Sequence, residues 1–155
     1  MVEALDNPVV TSSHQYEAAY LNCPVDKVWD LLRGLDLQIC FPEWIREVKM
    51  IQGEPGKVGS QFQVTYRDDA KWTFQILEVS DIKRTLIYEL VNAEPASTMS
   101  GYETTFRVFH ETLDNKAFLV WETQFSNDAS AQVVMDTKFK KVDALNSLKR
   151  VLQCS

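Results

Sequence analysis

The middle of the chain, residues 45–126, alternates between apolar and polar residues with a period of two. This period is typical of β-strands that are buried on one face. Five short breaks with the composition of turns interrupt the pattern. Parallel neighbours would need crossovers of a dozen residues or more, so the short breaks predict an antiparallel meander. Its six predicted strands are Ile45–Gln52, Ser60–Tyr66, Lys71–Ser80, Leu86–Asn92, Tyr102–Glu111 and Ala117–Ser126.

The segment before the meander predicts one strand and two short helices. His14–Leu21 alternates with the same period, which indicates a half-buried strand. Pro24 suits the first turn of a helix, where a missing N–H group costs nothing, and Gly34 marks the end of that helix. A second short helix or turn is predicted within Asp36–Trp44.

The last segment, Ala129–Gln153, predicts one long helix whose first N–H groups Asn127 or Asp128 can cap. At 1.5 Å per residue such a helix spans roughly 37 Å, enough to cross the whole sheet. We expect its apolar stripe to face the sheet. The stripe consists of Met135, Phe139, Val142, Leu145, Leu148 and Leu152.

Together these elements predict an α+β fold, in which a seven-stranded curved antiparallel sheet wraps around a long C-terminal helix. The chain has 155 residues, 45% of them hydrophobic, which suits one domain. We expect that domain to cover residues 14–155, after a flexible arm of residues 1–13. One helix about 10 Å wide cannot fill the concave face of such a sheet. Large side chains must fill the gap, or a cavity remains.

The positions predicted to face the helix are rich in aromatic residues. Apolar and aromatic linings with a few polar groups are typical of small-molecule pockets. The alternative is that the same rings pack into a solid core. The predicted ligand-binding residues are Phe62, Tyr66, Trp72, Phe74, Tyr88, Tyr102, Phe106, Trp121 and, on the helix, Phe139.

Two polar side chains are candidates for catalysis in such a cavity. The phenol of Tyr102 can donate a hydrogen bond to a carbonyl or a developing enolate. His110 follows in phase on the same predicted strand and suits a general base. Either residue can instead be structural. Arg107 and Glu122 have the opposite phase and are expected in solvent, unless a bulge reverses it.

Charge and composition argue against several other classes of protein. The net charge of −6 disfavours nucleic-acid binding, and no apolar run is long enough for stable insertion into a membrane. The cysteines lack metal-ligand spacing, so neither a metal nor another cofactor is expected. Their odd number, and an N-terminus without an apolar signal region, favour the cytoplasm. Gly53–Ser60 departs from a phosphate-binding loop and predicts a tight turn with positive φ angles.

Several motifs occur in an order that resembles one superfamily. They are Asn22–Leu32, Gly53–Ser60, Glu78–Ser80 and Leu86–Glu89, followed by the C-terminal helix. This arrangement resembles the helix-grip fold of the birch-pollen-allergen and START-like superfamily, which includes polyketide cyclases. The resemblance implies binding of a lipid, hormone or polyketide-like compound, and enzymatic activity in some members.

Three functions remain open at this point. The first is a carrier or sensor of a small hydrophobic molecule, which would enter beneath the loops Gly53–Ser60 and Ala93–Ser100. The second is a cyclase or isomerase that acts on a carbonyl substrate without a cofactor. The third is a protein-binding adaptor, which predicts a filled core and an exposed apolar patch.

Overall fold

The computed structural model describes residues 13–97 and 99–152, so most of the predicted arm and the last three residues lie outside the described part. The second predicted helix is confined to four residues and is followed by a turn over residues 41–44. The elements are β1 (His14–Leu21), α1 (Val25–Arg33), α2 (Leu37–Cys40), β2 (Ile45–Gln52), β3 (Gln61–Tyr66), β4 (Lys71–Ser80), β5 (Thr85–Glu94), β6 (Tyr102–Glu111), β7 (Lys116–Phe125) and α3 (Ala131–Val151).

All seven strands form one antiparallel sheet in the order β1-β7-β6-β5-β4-β3-β2. The meander from β2 to β7 is therefore continuous, and β1 is the edge strand beside β7. The predicted fold class is confirmed. Register shifts interrupt the β2–β3 and β4–β5 pairs, and irregularities of this kind increase the twist and bend of a sheet.

The predicted inward phase of strands β3 to β7 is correct. Their inward side chains are buried or half-buried beneath the helices. The pairing of β6 with β7 has no register shift, so the phase is not reversed there. Arg107 is accordingly exposed, and Glu122 lies on the outer face, where it contacts His14 Nε2 at 2.9 Å.

Strand β1 buries its polar face. Gln15 is buried and donates a hydrogen bond from its side chain to the backbone carbonyl of Val134 in α3. Tyr16 and Tyr20, on the opposite face, are exposed. The register explains this choice, because Gln15 is paired with the inward residue Thr123 of β7.

Helix α3 begins at a different cap from the predicted one. The side chain of Ser130 accepts a hydrogen bond from the backbone N–H of Val133 at 3.2 Å. Asp128 instead accepts the backbone N–H of Ser100 at 3.0 Å. Asp128 therefore connects the β5–β6 loop to the segment that precedes α3.

The predicted inward stripe of α3 is wrong in its first half. Met135 is 55% exposed, Phe139 is 63% exposed and Val142 is also exposed. Successive residues of the stripe are three or four positions apart. At 100° per residue, this succession of spacings does not keep all of them on one side of the helix. The buried line instead passes through polar positions. Its fully buried members are Lys141, Ala144, Leu145, Ser147 and Leu148.

The glycine loop between β2 and β3 adopts the predicted turn. Gly53, Gly56 and Gly59 have φ angles of 77°, 85° and 89°, which glycine adopts without strain. The hydroxyl of Ser60 closes the loop by accepting the backbone N–H of Glu54 at 3.1 Å.

Two substitutions in this loop separate backbone strain from close packing. A Cβ atom on Gly53 would overlap Ser60 Oγ, whereas one on Gly59 would meet nothing within 4 Å. We expect Gly59→Ala to lower the free energy of unfolding by about 1 kcal/mol through strain alone. Gly53→Ala should lower it by at least about 1 kcal/mol more. Urea denaturation measures both, and equal losses would contradict the close packing of Gly53 and Ser60.

A second pair of substitutions tests the orientation of α3. Phe139 points to solvent, so Phe139→Ser should change the free energy of unfolding by less than about 0.5 kcal/mol. Leu148 is fully buried, and Leu148→Ala should lower it by about 2–5 kcal/mol. A large decrease in the free energy of unfolding for Phe139→Ser, measured by urea denaturation, would instead indicate that Phe139 is buried.

Candidate ligand-binding site

Aromatic rings from strands β3 to β7 and from the turn at residues 41–44 pack against one another on the covered face of the sheet. Neighbouring ring centroids lie 4.8–6.4 Å apart, within the range of favourable aromatic pairs. Every predicted ligand-binding residue except Phe139 belongs to this aromatic cluster. Its members are Phe41, Trp44, Phe62, Tyr66, Trp72, Phe74, Tyr88, Tyr102, Phe106, Trp121 and Phe125.

Phe41 and Trp44 were not among the predicted ligand residues, although they form one side of the cluster. They flank the turn between α2 and β2. The ring of Trp121 lies 5.2 Å from that of Phe41 and 5.8 Å from that of Trp44. Two aromatic residues around a proline, in a segment assigned to a short helix or turn, were the available signal in the sequence.

Open space adjoins the cluster on this side. A cleft of about 330 Å³ runs between α3 and the turn at residues 41–44. A smaller cavity of about 90 Å³ lies beside it, against Tyr66, Trp72 and Tyr102. The side chains of Trp44 and Lys140 line both spaces. The cleft is lined by Phe41, Glu43, Trp44, Lys140, Asp143, Ala144, Asn146, Ser147 and Arg150.

An ion pair spans the cleft at its outer edge. Arg150 near the end of α3 contacts Glu43 in the turn, with 2.7 Å between guanidinium nitrogen and carboxylate oxygen. Both side chains are largely exposed, so the pair contributes little to stability. Its position connects the helix to the turn across the mouth of the cleft.

The cleft corrects the predicted path of access. The two loops expected to share one open end lie at opposite ends of the sheet. Gln61, which follows the glycine loop, pairs with Gln75, whereas Lys71 pairs with Glu94 at the start of the β5–β6 loop. Chain reversal in the intervening hairpins separates the loops. The small cavity lies at the β5–β6 end, and the glycine loop instead packs against Arg33 of α1.

Three tyrosine hydroxyls lie within the cluster. Burial raises the pKa of Tyr66, Tyr88 and Tyr102 above the ordinary value, while the neighbouring Thr104 hydroxyl lowers the pKa of Tyr88 and Tyr102 by a smaller amount. The phenols are therefore neutral at physiological pH. They can donate a hydrogen bond to a ligand but are poor bases.

His110 lies outside the candidate site. It is exposed near the end of β6, and its Nε2 is 2.8 Å from Asn115 Oδ1 in the following turn. The residue lines a polar surface groove near the β4–β5 turn rather than the cleft. The prediction of which side of β6 carries His110 is correct. However, the pairing of β5 with β6 ends at Arg107, so His110 lies on the part of β6 that extends past β5 and is not covered.

The sequence analysis missed Lys141, which points from α3 into the core. The residue is 0% exposed, and Nζ lies 5.4 Å from the centroid of the Trp121 ring. Within residues 13–97 and 99–152, neither Nζ nor Trp121 Nε1 has a hydrogen-bond partner. Burial lowers the pKa of Lys141 to about 7, and the carboxylates of Glu17 and Glu122 oppose that shift.

The burial of Lys141 could have been predicted from the sequence. Residues three, four and seven positions away from Lys141 are Ala144, Leu145 and Leu148, all of which are buried. Such spacing places a side chain on the same face of a helix. From Asp128 onward the chain carries three acidic and five basic residues, a pattern typical of a solvent-exposed helix face, and this pattern concealed the exception.

Replacement of this lysine should stabilise the protein in a pH-dependent way. Below pH 7 the amine is charged in both states, and the folded state bears the full cost of burying it. Lys141→Met should then raise the free energy of unfolding by on the order of 4 kcal/mol. Between pH 7 and 10.5 only the unfolded state keeps the proton, so the wild type gains stability with rising pH and the difference shrinks.

Urea denaturation of both proteins at pH 6 and pH 9.5 measures this difference. Lys140→Met is the matched control, because Lys140 is the exposed neighbour of Lys141. It should leave the free energy of unfolding within about 0.5 kcal/mol at both values. A destabilised Lys141→Met variant at pH 6 would contradict an uncompensated buried amine.

Comparison with solved structures supports the fold assignment. A protein from Nitrosospira multiformis superimposes with a TM-score of 0.78 at 20% identity, over 90% of this chain and 96% of that one. Major latex-like protein 151 from Panax ginseng gives 0.74 at 13% identity, over 91% and 97%. Ara h 8.0201 gives 0.70 at 16% identity, over 90% and 96%.

The chain therefore shares its fold with these three proteins, and this is the helix-grip fold that the sequence resemblance implied. No protein-family model matches the sequence, and no curated protein matches it. Among the described residues, no helix combines the length and apolar character that crossing a membrane requires. That same part of the chain contains no grouping of His, Cys, Asp and Glu side chains suited to holding a metal ion.

Proposed function

We propose that this chain binds a small hydrophobic ligand, as a carrier or sensor, in a site that opens from the cleft between α3 and the turn at residues 41–44. The observation that carries the proposal is the position of the cleft. Phe41 and Trp44 line it, and their rings lie 5.2 Å and 5.8 Å from the ring of the buried Trp121. A volume of about 330 Å³ lies within the size range of small-molecule pockets.

Trp44 is the residue that would admit the ligand to the interior. Its side chain is half-buried and separates the cleft from the small cavity beside Tyr66 and Trp72. Rotation of the indole would join the two spaces. The apolar body of a ligand would then occupy the space left by the Trp44 indole, so the aromatic cluster would remain shielded from water.

The lining defines the chemical character of that ligand. Its inner part is aromatic and neutral, which suits a flat or branched apolar body of a lipid, hormone or polyketide-like compound. Its outer edge carries Glu43, Lys140, Asp143 and Arg150, which suit a polar end near solvent. An amphipathic molecule of this size fits both parts.

Two variants of α3 test the cleft. Ala144 lines it, and Ala144→Leu adds a branched side chain to the open volume. Phe139→Ala changes a residue of the same helix that faces solvent. Native mass spectrometry and a thermal-shift screen of apolar compounds would identify a ligand for the wild type. Titration of tryptophan fluorescence should then show at least about tenfold weaker binding to Ala144→Leu, and unchanged binding to Phe139→Ala.

The magnitude of the thermal response is set by mass action. A ligand at 100 times its dissociation constant should stabilise the folded protein by about 2.7 kcal/mol. Failure of all apolar compounds to bind or to raise the melting temperature would overturn the proposal. Equal weakening by both α3 variants would place the ligand somewhere other than the cleft.

A protein-binding adaptor is the second candidate, and one specific observation favours it. The core is packed with aromatic rings, and α3 presents Met135, Phe139 and Val142 to solvent on adjacent turns. Exposed apolar stripes of this kind are typical of interaction surfaces. Cross-linking of the full chain in its native extract tests this function. A partner captured by the wild type and lost with Phe139→Ser, in a protein that binds no small molecule, would support the adaptor.

A further inference from the structure

Lys141 is the least accounted-for chemical group in the interior. Its amine is fully buried and lies against the face of Trp121, and no described residue forms a hydrogen bond with it. Structural lysines normally extend their amines to water or to a partner. Lys141 is therefore a buried reactive group that contacts the ring of Trp121 and has no hydrogen-bond partner among the described residues.

The surroundings favour the neutral form of this amine. Burial disfavours the ammonium ion and lowers the pKa of Lys141 to about 7, so a substantial fraction carries a free electron pair near neutral pH. An exposed lysine has a pKa near 10.5, and only about one amine in a thousand is neutral at pH 7.5. Desolvation of this kind is a known way in which proteins activate lysine as a nucleophile.

Nearby charges bear on the choice of ligand. The acids that interact electrostatically with Lys141 are Glu17 on β1 and Glu122 on β7. Cys40 in the facing helix α2 is neutral, because burial raises its pKa to about 12. An anionic ligand would be repelled by both carboxylates. A neutral electrophile meets no such repulsion.

The cleft leads towards this amine. Ala144 lines the cleft and lies one turn after Lys141 on the same helix. The ring of Trp121, which the amine faces, packs against the rings of Phe41 and Trp44, and both of these residues line the cleft. A ligand that displaces the Trp44 ring would therefore reach the face of Trp121 beside Lys141.

We infer that Lys141 forms an imine with an aldehyde or ketone group of the hydrophobic ligand. The inference rests on the proposed small-molecule site and adds a covalent step to it. The nitrogen attacks the carbonyl carbon, and a proton passes from nitrogen to the carbonyl oxygen to give a carbinolamine. Loss of water then forms the C=N bond. The net reaction joins amine and carbonyl compound and releases one water, with no oxidant or reductant.

Borohydride trapping tests this step. The full-length protein is incubated at pH 7.5 with decanal at no more than one equivalent, and sodium borohydride is added. Hydride reduces the imine carbon and a solvent proton completes a stable secondary amine. Peptide mass spectrometry should locate a decyl group on Lys141. We expect labelling of Lys141 to be at least about tenfold faster than that of the exposed Lys138, because burial keeps a larger fraction of the Lys141 amine neutral.

Three variants control for reactivity elsewhere. Lys141→Met should abolish the adduct at this position, and its greater expected stability guards against a misfolded sample. Lys141→Arg keeps a positive charge but forms no stable imine. Lys138→Met changes an exposed lysine of the same helix that does not line the cleft, and it should retain full labelling of Lys141. Adducts spread over exposed lysines, with the same total in Lys141→Met, would overturn the inference.

Decanol separates this inference from the proposal on which it rests. It has the same chain length as decanal but no carbonyl group, so it reports reversible binding alone. Binding of decanol without a decyl adduct on Lys141 would overturn the imine and leave the hydrophobic site intact. Failure of both decanol binding and labelling would overturn both. Tighter binding of decanoic acid than of decanol, lost in Lys141→Met and without an aldehyde adduct, would make Lys141 a charge partner rather than a nucleophile.

Discussion

The covered face of the sheet meets the helices through a layer of aromatic rings, among them Trp121, which contacts both Phe41 beside α2 and Lys141 on α3. A single helix is about 10 Å wide, and the sheet that it covers has seven strands. Trp121 and Phe106 rise from the sheet to meet Phe41 of the α2 segment, so rings bridge the distance that backbone elements leave. The cleft lies where the aromatic layer meets α3 and the turn at residues 41–44.

The sheet was predictable because its constraint is local and repeated. Alternation with a period of two identifies both the strand and its buried face, and every strand from β3 to β7 carries several large apolar residues on that face. Strand β1 shows the limit of the argument. Alternation separates Gln15 from Tyr16 but does not say which face is covered. That choice depends on the register with β7, a long-range property.

The orientation of α3 was less predictable for a physical reason. The buried face carries Lys141 and Ser147, whereas the exposed face carries Met135 and Phe139. Pattern analysis assumes that apolar residues mark the interior, and this helix exchanges the two at several positions. Phe139 was therefore assigned to the site, and Lys141 was not recognised as a buried residue. The cleft was likewise beyond reach, since its shape depends on the distance between α3 and a turn that lies far away in the sequence.

Such exchanges are informative about function because they oppose stability. A buried amine without a hydrogen-bond partner raises the free energy of the folded state, and an apolar residue such as methionine would fill the same volume without that cost. The protein can relieve the cost by losing the proton or by supplying the amine with a partner. Loss of the proton produces the nucleophile, and a carbonyl ligand is a partner that consumes it. In the proposed site, the group that weakens the empty protein is therefore also the one that would gain most when a ligand binds.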